Sequence, residues 1–285
     1  MEKMASAGEN SEEPRSQALT LSLISISAAL YAVAIAVTSP IPTPWGVGHF
    51  RPGVVVPAFF AVVFGPIVGG VGAAIGTFLG DFALSFFGLT TPLLSLIAGV
   101  PGNFVGFYLL GWLVSKRRTL ASFMLSNFVA LLVGNLTAAL GVMVYLWFVV
   151  PIWAMFPMDL KIGTVMGLTL FWVATMIVFV APLVPILVRY TGSTLVKMGV
   201  RGVSGLYWGN PTSLIRSSTA VALVLGVIYA IMMFIPGGNL LFARAIPPEL
   251  LLLASTVVFA TGLVFAVLTQ KFAKTSPTTS AQQKT

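Results

Sequence analysis

The sequence predicts an all-α, polytopic bundle of transmembrane helices. Hydrophobic residues make up 58% of the 285 residues and charged residues only 8%, whereas an average soluble domain carries about a quarter charged residues. Apolar runs recur along the chain, and most reach the roughly 20 residues with which a helix crosses a bilayer. The 28 glycines and 18 prolines are compatible with this prediction, because neighbouring membrane helices satisfy the backbone groups that they leave unpaired.

The apolar runs and the breakers between them predict eight crossings. These lie at about 18–38, 53–64, 66–87, 93–114, 121–149, 163–188, 217–235 and 249–270. The second run is the shortest, because Gly65-Pro66 ends it after roughly a dozen residues, fewer than an untilted span needs. We therefore expect the second helix to be tilted or only half inserted.

The crossings fall into two groups. Residues 18–190 are expected to form a six-helix membrane domain, and residues 217–270 to add two C-terminal transmembrane helices. The segment 191–216 combines basic and aromatic residues with glycines, which is typical of chain lying along the cytoplasmic interface. Residues 1–17 and 271–285 contain few apolar side chains and are expected to be disordered cytoplasmic tails.

Basic residues predict the orientation of the chain. An even number of crossings places both ends on one side, and a cytoplasmic side defined in this way holds twelve of the 15 lysines and arginines. The opposite side keeps only Arg51, Lys161 and Arg244. Because basic residues concentrate in cytoplasmic loops, we expect a multi-pass protein of the plasma membrane with both termini in the cytoplasm.

Several kinds of chemistry have no sequence signal. The chain has no cysteine and a single histidine, which excludes thiolate metal sites and disfavours a histidine cluster. It contains no G-x-x-x-x-G-K-[ST] phosphate loop, no H-E-x-x-H and no G-x-S-x-G motif. The net charge of +8 is spread over several short loops, unlike a nucleic-acid-binding face. We therefore expect neither an enzyme nor a site for a metal, a cofactor or nucleic acid.

Asp81 is the only acidic residue within an apolar run. An ion at such a place costs about 2.5–3.5 kcal/mol on insertion scales, so it requires a partner or a role. Arg51, at the start of the second helix, is expected at a similar depth in the outer half of the membrane. Two interpretations remain open: a structural ion pair between the two residues, or a pair that lines an outward-facing pocket.

Other recognition-type side chains are expected near the same outer level. The loop after helix 1 contains four prolines together with Trp45 and His49, which makes it stiff, exposed and suited to act as a lid. Asn103 in helix 4 and Asn135 in helix 5 fall near mid-membrane, where an unpaired amide is costly. Helix packing is the alternative explanation for each asparagine.

Small residues mark two helix faces. Ala28, Ala32 and Ala36 are spaced four apart in helix 1, so their side chains share one face and allow another helix to approach closely. Helix 3 repeats the pattern with Gly72, Gly76 and Gly80, for which we expect packing inside the bundle. The alanine face is instead expected to meet lipid or a partner.

The segment from Ala28 to Gly111 resembles the substrate-binding S component of energy-coupling factor (ECF) transporters, the vitamin and micronutrient importers of bacteria and archaea. The resemblance extends over the first six helices, about residues 18–190. It rests on the order and spacing of the alanine stripe, Pro40-Ile41-Pro42, the run from Arg51 to Pro57, Phe64-Gly65-Pro66, Gly80-Asp81 and the run from Pro101 to Phe107.

The resemblance implies a vitamin-sized pocket near the outer face and a whole-subunit toppling movement during transport. It also implies that Ala28, Ala32 and Ala36 dock a separate transmembrane T component, which two ATPase subunits drive. Depth and chemistry make Trp45, His49, Arg51, Asp81, Asn103 and Asn135 the candidates to contact substrate. The resemblance does not address the last two helices. The alternative hypothesis is a self-contained secondary transporter or channel that uses Asp81 as an ion or proton site.

Overall fold

The computed structural model describes residues 16–39, 51–200, 202–242 and 246–275. These residues form a helical bundle, which confirms the predicted all-α, polytopic fold. The helices are α1 (Gln17–Thr38), α2 (Val55–Phe64), α3 (Pro66–Ser85), α4 (Pro92–Lys116), α5 (Leu120–Val149), α6 (Met158–Lys197), α7 (Pro211–Phe234) and α8 (Pro248–Thr275). A 3₁₀ turn at Pro52–Val54 leads into α2.

Ordinary helix-start signals set several of these boundaries. Prolines stand at the first position of α3, α4 and α7, where the missing N–H has no intrahelical partner to lose. Side chains cap other starts: Ser16 accepts from the Leu19 N–H before α1, and Thr119 accepts from the Ser122 N–H before α5. The polar and proline residues between the apolar runs therefore fix where the helices begin.

Seven of the described helices are long and apolar enough to cross a membrane. The exception is the second: with its 3₁₀ turn it covers only Pro52–Phe64, or about 20 Å at 1.5 Å per residue. The prediction that this helix is too short for an untilted crossing is therefore confirmed. The cause is the one seen in the sequence, because Gly65, with φ of 93°, reverses the chain directly into Pro66.

The short α2 nevertheless returns the chain to the side from which α1 started. The glycines of α3 meet successive residues of α1, in the order Gly72 with Ser27, Gly76 with Ala28 and Gly80 with Ile35. Contacts that advance together along both helices mean that α1 and α3 run parallel. Consequently α2 runs in the opposite direction between them. The glycine stripe of α3 packs inside the bundle, as expected.

Both described chain ends lie at the same end of the bundle. We call this the terminal end; it contains the start of α1, the α4–α5 turn and the α6–α7 connection. The opposite end, which contains Arg51 and the α5–α6 turn, is the distal end. The assignment of the terminal end to the cytoplasm remains a prediction from the distribution of basic residues.

The residues expected along the cytoplasmic interface, 191–216, are partly helical. The helix α6 continues through Tyr190 to Lys197, and α7 already begins at Pro211. The residues 191–216 are thus divided among two helices and a short irregular stretch. The apolar run predicted the membrane-spanning part of α6 but not the full length of the helix, because a helix can continue beyond the point where its side chains become polar.

The last two helices pack on one side of the first six. The helix α7 contacts α5, the helix α8 contacts α6, and the two pack against each other as a hairpin. Within the hairpin, Ser255 Oγ donates to the Ala222 carbonyl oxygen at 2.8 Å. By contrast, α1 packs mainly against α3.

Candidate functional site

Arg51 and Asp81 form an ion pair at the distal end. Arg51 Nη2 lies 3.0 Å from Asp81 Oδ1, and the side chains are 19% and 3% exposed, respectively. Ser95 Oγ donates to the other carboxylate oxygen, Asp81 Oδ2, at 2.8 Å. Both oxygens of the buried carboxylate are therefore engaged, and the three residues join the start of α2 to α3 and α4.

A π turn in α4 carries Ser95. Residues Ser95–Gly99 are π-helical, and the Val100 N–H donates to the Ser95 carbonyl oxygen instead of to the residue four positions back. Pro101 lies two residues after this turn and has no N–H to continue the regular ladder, so the wider turn accommodates its ring. Such turns occur frequently at functional sites.

Gly99 lets α4 approach the ion pair. A Cβ at this position would lie 3.0 Å from Thr77 Cγ2 and 3.2 Å from Asp81 Oδ2. Any side chain at residue 99 would therefore press on the carboxylate that Arg51 neutralises. The absence of a side chain at Gly99 is a requirement of the close α3–α4 contact.

A second hydrogen-bonded chain joins α1 to the same π turn. Tyr31 Oη donates to Asn103 Oδ1 at 3.0 Å, and Asn103 Nδ2 donates to the Gly99 carbonyl oxygen at 2.9 Å. Tyr31 is fully buried, and its ring meets Phe107 edge-on at 6.4 Å between centroids. Asn103 therefore holds α1 against α4, which is a structural role consistent with its expected depth.

Asn103 and Asn135 line one small cavity between α4, α5 and α6. Asn135 Nδ2 contacts Met176 Sδ of α6 at 3.5 Å. The volume is about 20 Å³, enough for one water molecule but far below the size of a vitamin. The lining consists of Gly102, Asn103, Gly106, Phe107, Ala130, Leu131, Gly134, Asn135, Ala138 and Met176.

The α5–α6 turn also lies at the distal end. Lys161 is 4% exposed; its Nζ donates to the Ala154 carbonyl oxygen at 3.0 Å and lies 4.8 Å from the centre of the Trp147 ring. Trp153 Nε1 donates to Met143 Sδ at 3.2 Å. These contacts fasten the turn to the ends of both helices.

The structure brings together four of the six predicted substrate residues in two connected groups. Arg51 and Asp81 form one, and Asn103 and Asn135 the other, with Gly99 in contact with both groups. Trp45 and His49 lie outside the described residues. Sequence reasoning missed Tyr31 and Ser95. A tyrosine and a serine in apolar helices give only a weak signal until their partners are known.

The three alanines of α1 do not have equal surroundings. Ala28 is 3% exposed and faces α3, where a Cβ on Gly76 would stand 2.8 Å from the Ala28 carbonyl oxygen. Ala32 and Ala36 are half-buried at the margin of that contact. The small residues Ser22, Ser25 and Ala29 are exposed. At helical spacing, Ser22, Ser25, Ala29, Ala32 and Ala36 form one continuous stripe beside the α1–α3 contact.

One comparison with known proteins matches the part of the chain that contains the first helices. A family model described as "ECF-type riboflavin transporter, S component" matches residues 16–178. The match runs from the start of α1 into α6 and includes both connected groups of the site. It leaves α7 and α8 outside. No curated protein and no solved structure matches the chain significantly.

Proposed function

Because the chain belongs to the family of ECF-type riboflavin transporter S components, we propose that it captures riboflavin or a closely related flavin at the outer face of the membrane. Energy for uptake comes from a separate T component and ATPase subunits. S components are binding subunits rather than enzymes. The observation that carries the proposal is the family match over residues 16–178, which include both connected groups of the site.

The balanced charges of the Arg51–Asp81 pair support an uncharged ligand. Arg51 is neutralised by Asp81, whose second oxygen already accepts from Ser95. A ligand phosphate that approached this pair would have to leave water next to an arginine whose charge is already balanced, which is unfavourable. Riboflavin carries no charge, whereas its phosphate ester FMN does. We therefore propose that the site selects the free vitamin.

The two carboxamides suit the polar edge of a flavin ring. Asn103 Nδ2 donates one N–H to the Gly99 carbonyl oxygen and has a second N–H to offer. Asn135 has a side-chain carbonyl oxygen, and its Nδ2 makes only the long contact to Met176. A ring edge that carries both donors and acceptors matches such a pair. In our proposal these groups form the floor of the site, and Trp45 and His49 stay predicted substrate contacts.

The partner-facing surface is proposed to be the stripe along α1. Its members Ala29, Ala32 and Ala36 have small side chains and are at least partly exposed, so a helix of the T component can approach the backbone closely. Of the three alanines expected to dock, Ala28 contributes least in this proposal because α3 already covers it. The α7–α8 hairpin packs on α5 and α6 and leaves the stripe accessible.

The direct test is a flavin titration of the purified chain in detergent. Quenching of flavin fluorescence is expected to give saturable 1:1 binding of riboflavin in the nanomolar to micromolar range, with FMN at least tenfold weaker. Equal binding of both would contradict the charge argument. If neither binds and no flavin copurifies, the proposed substrate is wrong. Uptake into liposomes by this chain alone would instead support the secondary transporter.

A further inference from the structure

The connection between α6 and α7 crosses the terminal end as a strap, which we define as residues 202–210. Tyr207 is its centre: the Tyr207 N–H donates to the Arg118 carbonyl oxygen at 2.7 Å, and the Tyr207 carbonyl oxygen accepts from the Leu120 N–H at 2.9 Å. The two bonds form a parallel β-bridge between Tyr207 and Thr119. The strap is thus joined by backbone to the α4–α5 turn.

The strap also reaches the end of α2. The last carbonyl groups of a helix have no intrahelical donor and need one from elsewhere. The Ser204 N–H donates to the Val63 carbonyl oxygen at 3.0 Å, and Arg118 Nη1 donates to the Val62 carbonyl oxygen at 3.2 Å. The end of α2 is therefore capped by the strap and by the turn that the strap holds.

Side chains extend these connections to α6 and α8. Trp208 meets Phe265 of α8 edge-on at 6.1 Å, and the Arg189 guanidinium of α6 lies 4.6 Å from the centre of the Trp208 ring. Val203 and Leu206 pack against the hydrophobic core. One short segment thereby touches α2, the α4–α5 turn, α6 and α8.

The strap and the hairpin that follows lie outside residues 16–178, the part matched by the family. We propose that the strap is a permanent closure of the terminal end, which makes the six matched helices and the α7–α8 hairpin a single body throughout transport. The statement about transport rests on the proposed function, whereas the closure itself does not.

The physical reason is that opening the terminal end would break several interactions together. The backbone N–H groups of Ser204, Tyr207 and Leu120 would lose their acceptors. The carbonyl groups at the end of α2 would be left unpaired near the membrane. The rings of Trp208 and Phe265 would separate as well. A segment that moves during each transport cycle is expected to have few such contacts.

The test uses the absence of native cysteine. Bridge partners lie within the Cα separation that a disulfide spans, so the double variant Thr119→Cys/Tyr207→Cys is expected to cross-link under mild oxidation. With the strap locked, riboflavin affinity and uptake by the assembled transporter should stay within twofold of the reduced protein. A tenfold or greater loss of uptake that a reductant restores would overturn the proposal. Each single-cysteine variant, treated with the same oxidant, controls for oxidation itself.

A second measurement does not depend on the ligand or on the variant folding. Backbone amide exchange of the unmodified chain should protect Leu120 and Tyr207 as strongly as the interior of α5. Exchange of these two amides at least a hundredfold faster than the α5 interior would refute a permanent closure. If the amides are protected but riboflavin does not bind, the proposed substrate fails and the closure stands.

Discussion

Ser95 Oγ donates a 2.8 Å hydrogen bond to Asp81 Oδ2, and in doing so joins the π turn of α4 to the only ion pair among the described residues. The bond matters because Asp81 is buried, and a buried carboxylate oxygen without a donor is costly. The packing of α3 against α4 and the electrostatics of the site are therefore one arrangement, and a change in either affects the other.

The variant Ser95→Ala should lower stability without changing helix content. It removes a hydrogen bond to a charged group, which is worth about 1.5–3 kcal/mol. The control is Ser85→Ala, which removes an exposed hydroxyl bonded to the Phe82 carbonyl oxygen and should change stability by less than about 0.5 kcal/mol. Thermal unfolding in detergent measures both. Equal shifts in midpoint would show that the Asp81 contact contributes nothing.

The Arg51 and Asp81 variants should be non-additive. Arg51→Gln leaves a buried anion without its cation, and Asp81→Asn leaves the cation without its anion, so each should destabilise by about 3–5 kcal/mol. The double variant should lose clearly less than the sum, because it leaves no unpaired charge. A double-mutant cycle by thermal unfolding gives the coupling. Simple additivity would mean that the two charges do not depend on each other.

Glycine-to-alanine changes should have opposite signs at two helical positions. In α3, a methyl group on Gly76 would stand 2.8 Å from the Ala28 carbonyl oxygen and 3.0 Å from Tyr31 Cβ, so Gly76→Ala should push α1 away and destabilise by about 1–3 kcal/mol. In α6, nothing lies within 4 Å of the corresponding position on Gly192. Gly192→Ala should stabilise by about 0.5–1 kcal/mol through backbone entropy. Melting temperatures that fall for both variants would contradict this assignment.

Two asparagines of α5 should respond differently to leucine. Asn135 lines the cavity beside Asn103, and Asn135→Leu should weaken flavin binding about tenfold, the equivalent of about 1.4 kcal/mol. Asn127 is fully buried, and neither its oxygen nor its nitrogen has a hydrogen-bond partner among the described residues. Asn127→Leu should therefore keep the affinity and leave stability equal or higher. A loss of binding in both variants would point to a general packing defect instead of a contact with ligand.

A bulky residue on the α1 stripe should separate binding from uptake. Ala32→Trp should leave flavin affinity within twofold while abolishing uptake by the complete transporter, because a large ring prevents close helix approach. The control is Leu223→Trp on α7, at a position 61% exposed on the hairpin, which should retain uptake. Unchanged uptake in the Ala32 variant would exclude this face as the docking surface.

The positions of the helices could be read from the sequence because the apolar runs and breakers are local signals. Gly65-Pro66 marked the α2–α3 reversal. Arg51 and Asp81 lie at similar distances along the chain on either side of this reversal, which gave them a similar expected depth and made an ion pair possible. The π turn could not be read, because a proline within an apolar run predicts a disturbance of the helix but not its form. The sequence also left both interpretations of this pair open, a structural pair or pocket residues, and it gave no sign of the hydrogen bond from Ser95 to the second oxygen of Asp81.

Tertiary partners far apart in the chain explain what the sequence did not reveal. Tyr31 and Asn103 are separated by 72 residues, and neither position alone indicates the other. The strap likewise depends on backbone groups of Val63 and Arg118, and backbone hydrogen bonds do not require particular side chains. The all-α polytopic fold could therefore be predicted from the sequence, whereas the contacts between distant residues required the three-dimensional arrangement.

The π turn also has a consequence for how α4 tolerates insertions and deletions. One additional residue in a turn rotates everything before it by about 100° relative to everything after it. The start of α4 thus presents Ser95 to α3, while the part after Pro101 presents Asn103 to α1. Removing a single residue between 95 and 99 would preserve a continuous helix and its hydrophobic length, yet turn the hydroxyl away from its carboxylate. Alignments of this region are therefore sensitive to a one-residue gap that hydropathy alone does not detect.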